Sequence, residues 1–200
     1  MQNSVKDELR GVLIFVAVLW AVLGLDTILT SYKLTDWGLV PRTMWGLVGI
    51  VTSPFLHAGI LHLLSNTVPL VVLLALFAGS RSRTWEAILE IAVAGGALLW
   101  LLGRNGDSSQ PVIHVGASGL VYGLIAFLIV AGFLERRPIS LAVALLVGFL
   151  YGGTLLYGVL PTQRGVSWDG HLLGALGGAA VAYFNLRKPR ADSAKNNPHS

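Results

Sequence analysis

Few side chains in this 200-residue sequence can do chemistry, and they fall in three short stretches. Ser118 lies between glycines in PVIHVGASGLVYG (111–123). His57, His62 and Asn66 lie in PFLHAGILHLLSN (54–66), and His171 opens DGHLLGALGG with Asp169 (169–178). A serine hydroxyl becomes a useful nucleophile when an imidazole stands within hydrogen-bond reach. Attack on an acyl carbon further requires donors aimed at the oxygen that gains charge, and a side-chain amide or the free N–H of a helix start supplies them. Ser118 as nucleophile, His171 as base, and Asn66 with the Ser118 N–H as oxyanion donors, assisted by His62, satisfy that list.

Other chemistries fit less well. The chain has no cysteine, so thiolate catalysis, disulfides and Cys-ligated metals are excluded. His57, His62 and His171 have no carboxylate at zinc-binding spacing, so no metal site is assigned. GASGL lacks the last glycine of the GxSxG elbow, and no alternating strand pattern precedes it. His114 is expected to be an interfacial histidine, one turn from Ser118 on the same helix. Asp169, two residues before His171, is expected to cap a helix start.

The elements that must position these groups are membrane helices. The chain is 54% hydrophobic and 12% charged, with mean hydropathy +0.70, whereas a soluble domain carries about 25% charge. The apolar residues come in blocks near the ~20 residues that cross a bilayer core. Six spans are expected, near residues 11–30, 60–78, 85–102, 113–133, 139–159 and 170–186, behind a cytoplasmic segment 1–10. A long outer loop, 31–59, with Trp37 and Trp45 is expected at the membrane surface, and the tail 187–200 is expected to be disordered. Lys6, Arg10, Arg81, Arg83, Arg136, Arg137, Arg187, Lys188, Arg190 and Lys195 fall on one side, against Lys33, Arg42, Arg104 and Arg164 on the other. That bias predicts cytoplasmic termini. The net charge of +4 belongs to these flanks, and no basic stripe interleaved with aromatics suggests nucleic acid.

With this topology the second, fourth and sixth spans start on the outer side, and their polar residues cluster near those starts. Glycine spacing indicates which helices touch. Gly119 and Gly123 are four apart, as are Gly174 and Gly178, with His171 three before Gly174; small residues at this spacing let backbones approach closely. Packing those faces together brings Ser118 and His171 to one depth, with Tyr122 one turn below.

This pattern resembles the rhomboid family of intramembrane serine proteases. His57, His62 and Asn66 fit its HxxxxHxxxN, residues 116–119 its GxSG, and His171, Gly174 and Gly178 its HxxGxxxG. The resemblance implies an all-α, six-helix membrane bundle with both termini cytoplasmic, in the cell membrane, with its active site open to the outer face. It implies a Ser118–His171 dyad and no cofactor. His62, Asn66 and the Ser118 N–H would form the oxyanion hole, Tyr122 would pack on His171, and His57 would support the first loop. The substrates would be transmembrane proteins within the lipid bilayer, cut in or near a span. Many members carry Trp-Arg where this chain has Val48 and Gly49, so the loop must be anchored differently. The rival expectations are a non-catalytic protein of the same family that binds membrane clients, and a small transporter relaying protons through its histidines.

Overall fold

The computed structural model describes residues 5–29, 33–80, 84–106, 110–162 and 165–187. Among them it is all-helical, with six long helices: α1 (Val5–Ile28), α2 (Ile60–Ser80), α3 (Thr84–Leu102), α4 (Ser118–Glu135), α5 (Pro138–Gly158) and α6 (Trp168–Arg187). The α1–α2 connection folds into short turns at Leu34–Trp37, Trp45–Leu47, Gly49–Thr52 and Ser53–Phe55. The expected tail falls, beyond Arg187, outside the described residues, as do Arg81, Arg83 and Arg164.

Five of the six helices are long and apolar enough to cross a membrane, and the chain is a multi-pass membrane protein. The sixth, α6, falls short because it carries Asp169, His171, Asn185, Arg187 and four glycines. Its first turn is nevertheless buried, at Asp169, Gly170 and His171. Asp169 and His171 therefore face protein rather than the surroundings.

α4 is the central post. It is apolar on every side and buried continuously from Leu120 to Leu128, the signature of a helix surrounded by others. Its most extensive partner is α6, and glycines make the contact. A Cβ on Gly174 would run into the Gly119 carbonyl, and one on Gly178 into that of Gly123. α3 reaches α6 the same way: a Cβ on Gly177 would lie 2.6 Å from the Gly95 nitrogen. Gly95 and Gly177 were not singled out in the sequence, since neither belongs to a spaced motif around the candidate dyad.

Two boundaries differ from expectation. α1 begins at Val5, so residues 5–10 continue the helix rather than preceding it. α4 begins at Ser118, not near residue 113. The cause lies in the backbone: His114 pairs both ways with Leu39 (2.8 and 2.9 Å) as an isolated bridge, and Gly116 then turns at φ +113°. A side chain is strained in that region of φ, so glycine is needed there.

The first loop is anchored without Trp-Arg. Arg42 donates through its guanidinium to the carbonyls of Gly103 (2.7 Å) and Leu101 (3.3 Å), covering the open end of α3, and its N–H reaches Trp100 O (2.9 Å). The Trp100 indole returns a bond to Thr43 O at 2.8 Å. Gly49 packs on the Leu39 backbone, where any Cβ would collide, so this loop has no room for an arginine at that position.

Candidate active site

Ser118 is the first residue of α4, and the helix start is held from outside. The Gly116 N–H donates to Ser53 O at 2.9 Å, and the Ala117 N–H to His57 Nε2 at 3.3 Å. Both partners belong to the first loop. No side chain caps the helix at Ala117, so the N–H groups of its first turn have no intrahelical acceptor and can stabilise a developing negative charge. Because His57 accepts through Nε2, its neutral form carries its proton on Nδ1. The ring is 2% exposed. Burial, with the nearby His62 ring (5.2 Å between centroids) adding repulsion, pushes its pKa down to about 4.

His171, on the first turn of α6, is fixed on two sides. Its Nδ1 lies 2.9 Å from Gly158 O, an end-of-helix carbonyl that α5 itself cannot satisfy. A carbonyl only accepts, so Nδ1 carries the hydrogen and Nε2 keeps its lone pair, the tautomer a base acting through Nε2 requires. The ring stacks on Tyr122 at 4.1 Å between centroids and 8° between planes, and Tyr122 Oη donates to Thr154 O at 2.9 Å. Gly158 is tightly enclosed, since a Cβ there would strike the Tyr122 hydroxyl.

His62 and Asn66 share one face of α2 and meet the turn before Ser118 at Gly116. A Cβ at Gly116 would fall 2.7 Å from His62 Nε2 and 3.7 Å from Asn66 Nδ2. His62 Nδ1 accepts the Ala58 N–H at 3.4 Å, which leaves Nε2–H as a donor on the Gly116 side. Asn66 spends one amide hydrogen on His62 O at 3.0 Å and retains the other. Ser118, His171, Tyr122, His62 and Asn66 line one cavity of about 950 Å³. Among the described residues no hydrogen bond joins Ser118 to His171; such bonds are often long before substrate binds.

Residues 42–188 match the family model of the Rhomboid domain. The chain belongs to the rhomboid family. An uncharacterized protein of Mycobacterium tuberculosis is 42% identical over 178 residues, covering 86% of this chain and 73% of the relative. An uncharacterized Mycobacterium leprae protein is 41% identical over 178 residues, covering 86% and 69%. The Bacillus subtilis protein YdcA, provisionally named a rhomboid protease, is 26% identical over 191 residues, covering 90% and 92%.

Two polar residues of this rhomboid depart from what its sequence suggested. His114 is not on the helix that carries Ser118. It is 4% exposed, lies before α4 rather than on it, and bonds Ser167 Oγ at 2.7 Å through Nδ1 and Arg104 O at 2.9 Å through Nε2. Burial keeps its imidazole below the ordinary histidine value. Asp169 does not cap α6. Ser167 does, accepting the Gly170 N–H at 3.2 Å, while the Asp169 carboxylate takes the Arg104 N–H at 2.8 Å and its guanidinium at 3.0 Å. Serine at the capping position leaves the aspartate one turn-face away, aimed at the α3–α4 loop. Arg104 and Ser167 carried no signal in the sequence, because both sit in loops of ordinary polar composition.

Proposed function

We propose that this rhomboid is an intramembrane serine endopeptidase that hydrolyses peptide bonds in or near transmembrane segments of other membrane proteins. The observation that carries it is the His171 ring: its Nδ1 is committed to the Gly158 carbonyl, its plane is pinned on Tyr122, and it shares a cavity wall with Ser118 at an uncapped helix start. A client-binding scaffold has no use for a base held in one tautomer.

In the proposed reaction, Ser118 Oγ attacks the scissile carbonyl carbon while His171 Nε2 takes the hydroxyl proton. The carbonyl oxygen becomes an oxyanion facing the Ser118 N–H, Asn66 Nδ2 and His62 Nε2–H. Collapse breaks the C–N bond, and the amine leaves with the proton from His171. Water then attacks the Ser118 ester with His171 again accepting its proton, and the ester C–O bond breaks as that proton returns to Ser118. General acid–base help of this kind contributes about 10²–10⁴-fold. A substrate helix must unwind to present its carbonyl, and each backbone group unpaired in lipid costs several kcal/mol. Substrates with glycine, proline or polar residues near the cut unwind most easily. In this reading α6 is the sixth span, both termini are cytoplasmic, and the cavity opens to the outer face.

Ser167 and His114 are a second serine–histidine pair, 2.7 Å apart with Asp169 3.8 Å from the ring. They are a poorer nucleophile site. Ser167 Oγ already caps α6, and the Asp169 charge is met by Arg104. Co-expression with a single-span reporter separates the possibilities. Cleavage by wild type that is abolished in Ser118→Ala and His171→Ala, with fluorophosphonate labelling lost in Ser118→Ala, is the expected result. Equal cleavage by all three proteins, or labelling at Ser167, would refute the dyad.

A further inference from the structure

Arg104, His114, Ser167 and Asp169 form one continuous network that the dyad chemistry does not use. His114 lies four residues before Ser118, on the segment that leads into the nucleophile turn. Ser167 lies four residues before His171, at the cap of the helix that carries the base. These segments are 53 residues apart in the chain, and the 2.7 Å bond from Ser167 Oγ to His114 Nδ1 joins them. The direction of the bonds is determined. Arg104 O can only accept, so His114 Nε2 carries the proton and Nδ1 receives the Ser167 hydroxyl at 2.7 Å, in preference to Asp169 Oδ1, which lies 3.4 Å from the same oxygen. Arg104 closes the circuit: its carbonyl holds His114, and its N–H and guanidinium hold Asp169, two residues from His171. The two ends are firm, since the His114 backbone pairs both ways with Leu39 and the Ser167 carbonyl accepts the His171 N–H at 3.0 Å.

Building on the Ser118–His171 assignment, we infer that this network is a brace that sets the separation of nucleophile and base, and that its four members are positioning residues. Gly158 and Tyr122 orient the imidazole ring, Tyr122 from the same helix as Ser118, and the glycines of α4 and α6 set how closely those two helices pack. The His114–Ser167 bond is a side-chain link between the two loop segments that lead into those helices. Asp169 is 3% exposed but its Arg104 partner is half-exposed, and an ion pair open to solvent adds little stability. Its geometric consequence is larger: it fixes the first turn of α6 to the α3–α4 loop. Displacing reacting groups by about 1 Å can cost 10²-fold in rate.

The test measures kcat and KM on a transmembrane reporter for full-length wild type, His114→Ala, Asp169→Asn and the double variant, with active sites counted by saturating fluorophosphonate label. Each single variant is expected to lower kcat per labelled site about 10- to 10²-fold with KM within about twofold. The double variant is expected to lose no more than the worse single. Ser167→Thr, which keeps the hydroxyl, is expected to retain activity that Ser167→Ala loses. If Asp169→Asn yields no labelled protein, Ser167→Ala combined with His114→Ala provides the same comparison. Losses that multiply in the double variant overturn the brace, as does a wild-type kcat per labelled site with only the labelled fraction reduced. A wild type that neither cleaves nor labels at Ser118 overturns the protease assignment instead, so the two failures are distinct.

Discussion

His57 offers a direct physical test of how the nucleophile turn is held. The ring is buried, lies outside the membrane-spanning helices, and accepts the Ala117 N–H through Nε2. Protonation would turn that acceptor into a donor facing a donor. In the folded protein the ring titrates at about 4, and in the unfolded chain near the ordinary ~6.5. Between those values the unfolded state holds the proton and the folded state does not, so stability falls as pH drops through that window and is complete above it. The difference corresponds to about 3 kcal/mol in total, with a slope of up to about 1.4 kcal/mol per pH unit from this one proton. His57→Gln keeps an oxygen able to accept the Ala117 N–H but does not titrate. Denaturant unfolding of the purified protein in detergent, at steps from pH 7 to pH 4.5, should give wild type the steeper loss, by about 2.4 kcal/mol of that total. Parallel stability profiles for the two proteins would refute the assigned role of His57.

Four further outcomes are expected. Gly116→Ala places a Cβ 2.7 Å from His62 at a φ of +113°; strain of about 1–3 kcal/mol should lower reporter cleavage by about 10- to 10²-fold, with the folded fraction followed by circular dichroism. Asn66→Ala should cost about 10²–10³ in kcat with little change in KM, as loss of an oxyanion donor does. Tyr122→Phe keeps the ring stacked on His171 and loses only the bond to Thr154 O, so it should cost about 5-fold, equivalent to about 1 kcal/mol; Tyr122→Leu should cost more. Cleavage should fall as pH drops and His171 takes up a proton, and because His57 stays neutral to about pH 4, a pH–rate profile of His57→Gln should keep the same acid limb.

Much of this arrangement was legible in the residues because the constraints were local and strict. Glycines four apart on two helices specify a backbone contact that no larger residue allows, and the structure seats Gly174 and Gly178 on the carbonyls of Gly119 and Gly123. His62 and Asn66, four apart, necessarily share a helix face. The failures have a common cause. The start of α4 was misplaced because residues 113–115 are apolar enough to continue a span, and only a long-range bridge to Leu39 holds them extended. Asp169 was misread as a cap because its partner, Arg104, lies 65 residues away in a polar loop with no pattern of its own. Hydropathy also marks α6 as less apolar than its neighbours, since the groups that make it useful are polar and buried.

His171, His62 and His57 then illustrate how one side chain takes three roles through its second nitrogen. His171 gives Nδ1–H to a carbonyl and is left with a basic Nε2. His62 receives an N–H at Nδ1 and is left with a donating Nε2–H. His57 receives an N–H at Nε2 and serves as a prop for the turn. In each case the partner is a backbone group, and no carboxylate enters. A backbone carbonyl fixes the tautomer as firmly as an aspartate would, without a second charge buried at membrane depth, where an ion is costly. The carboxylate that is present, Asp169, is balanced by Arg104 and directed at the helix carrying the base rather than at the imidazole. In the proposed dyad a helix terminus, Gly158, would do what the third member of a triad does elsewhere.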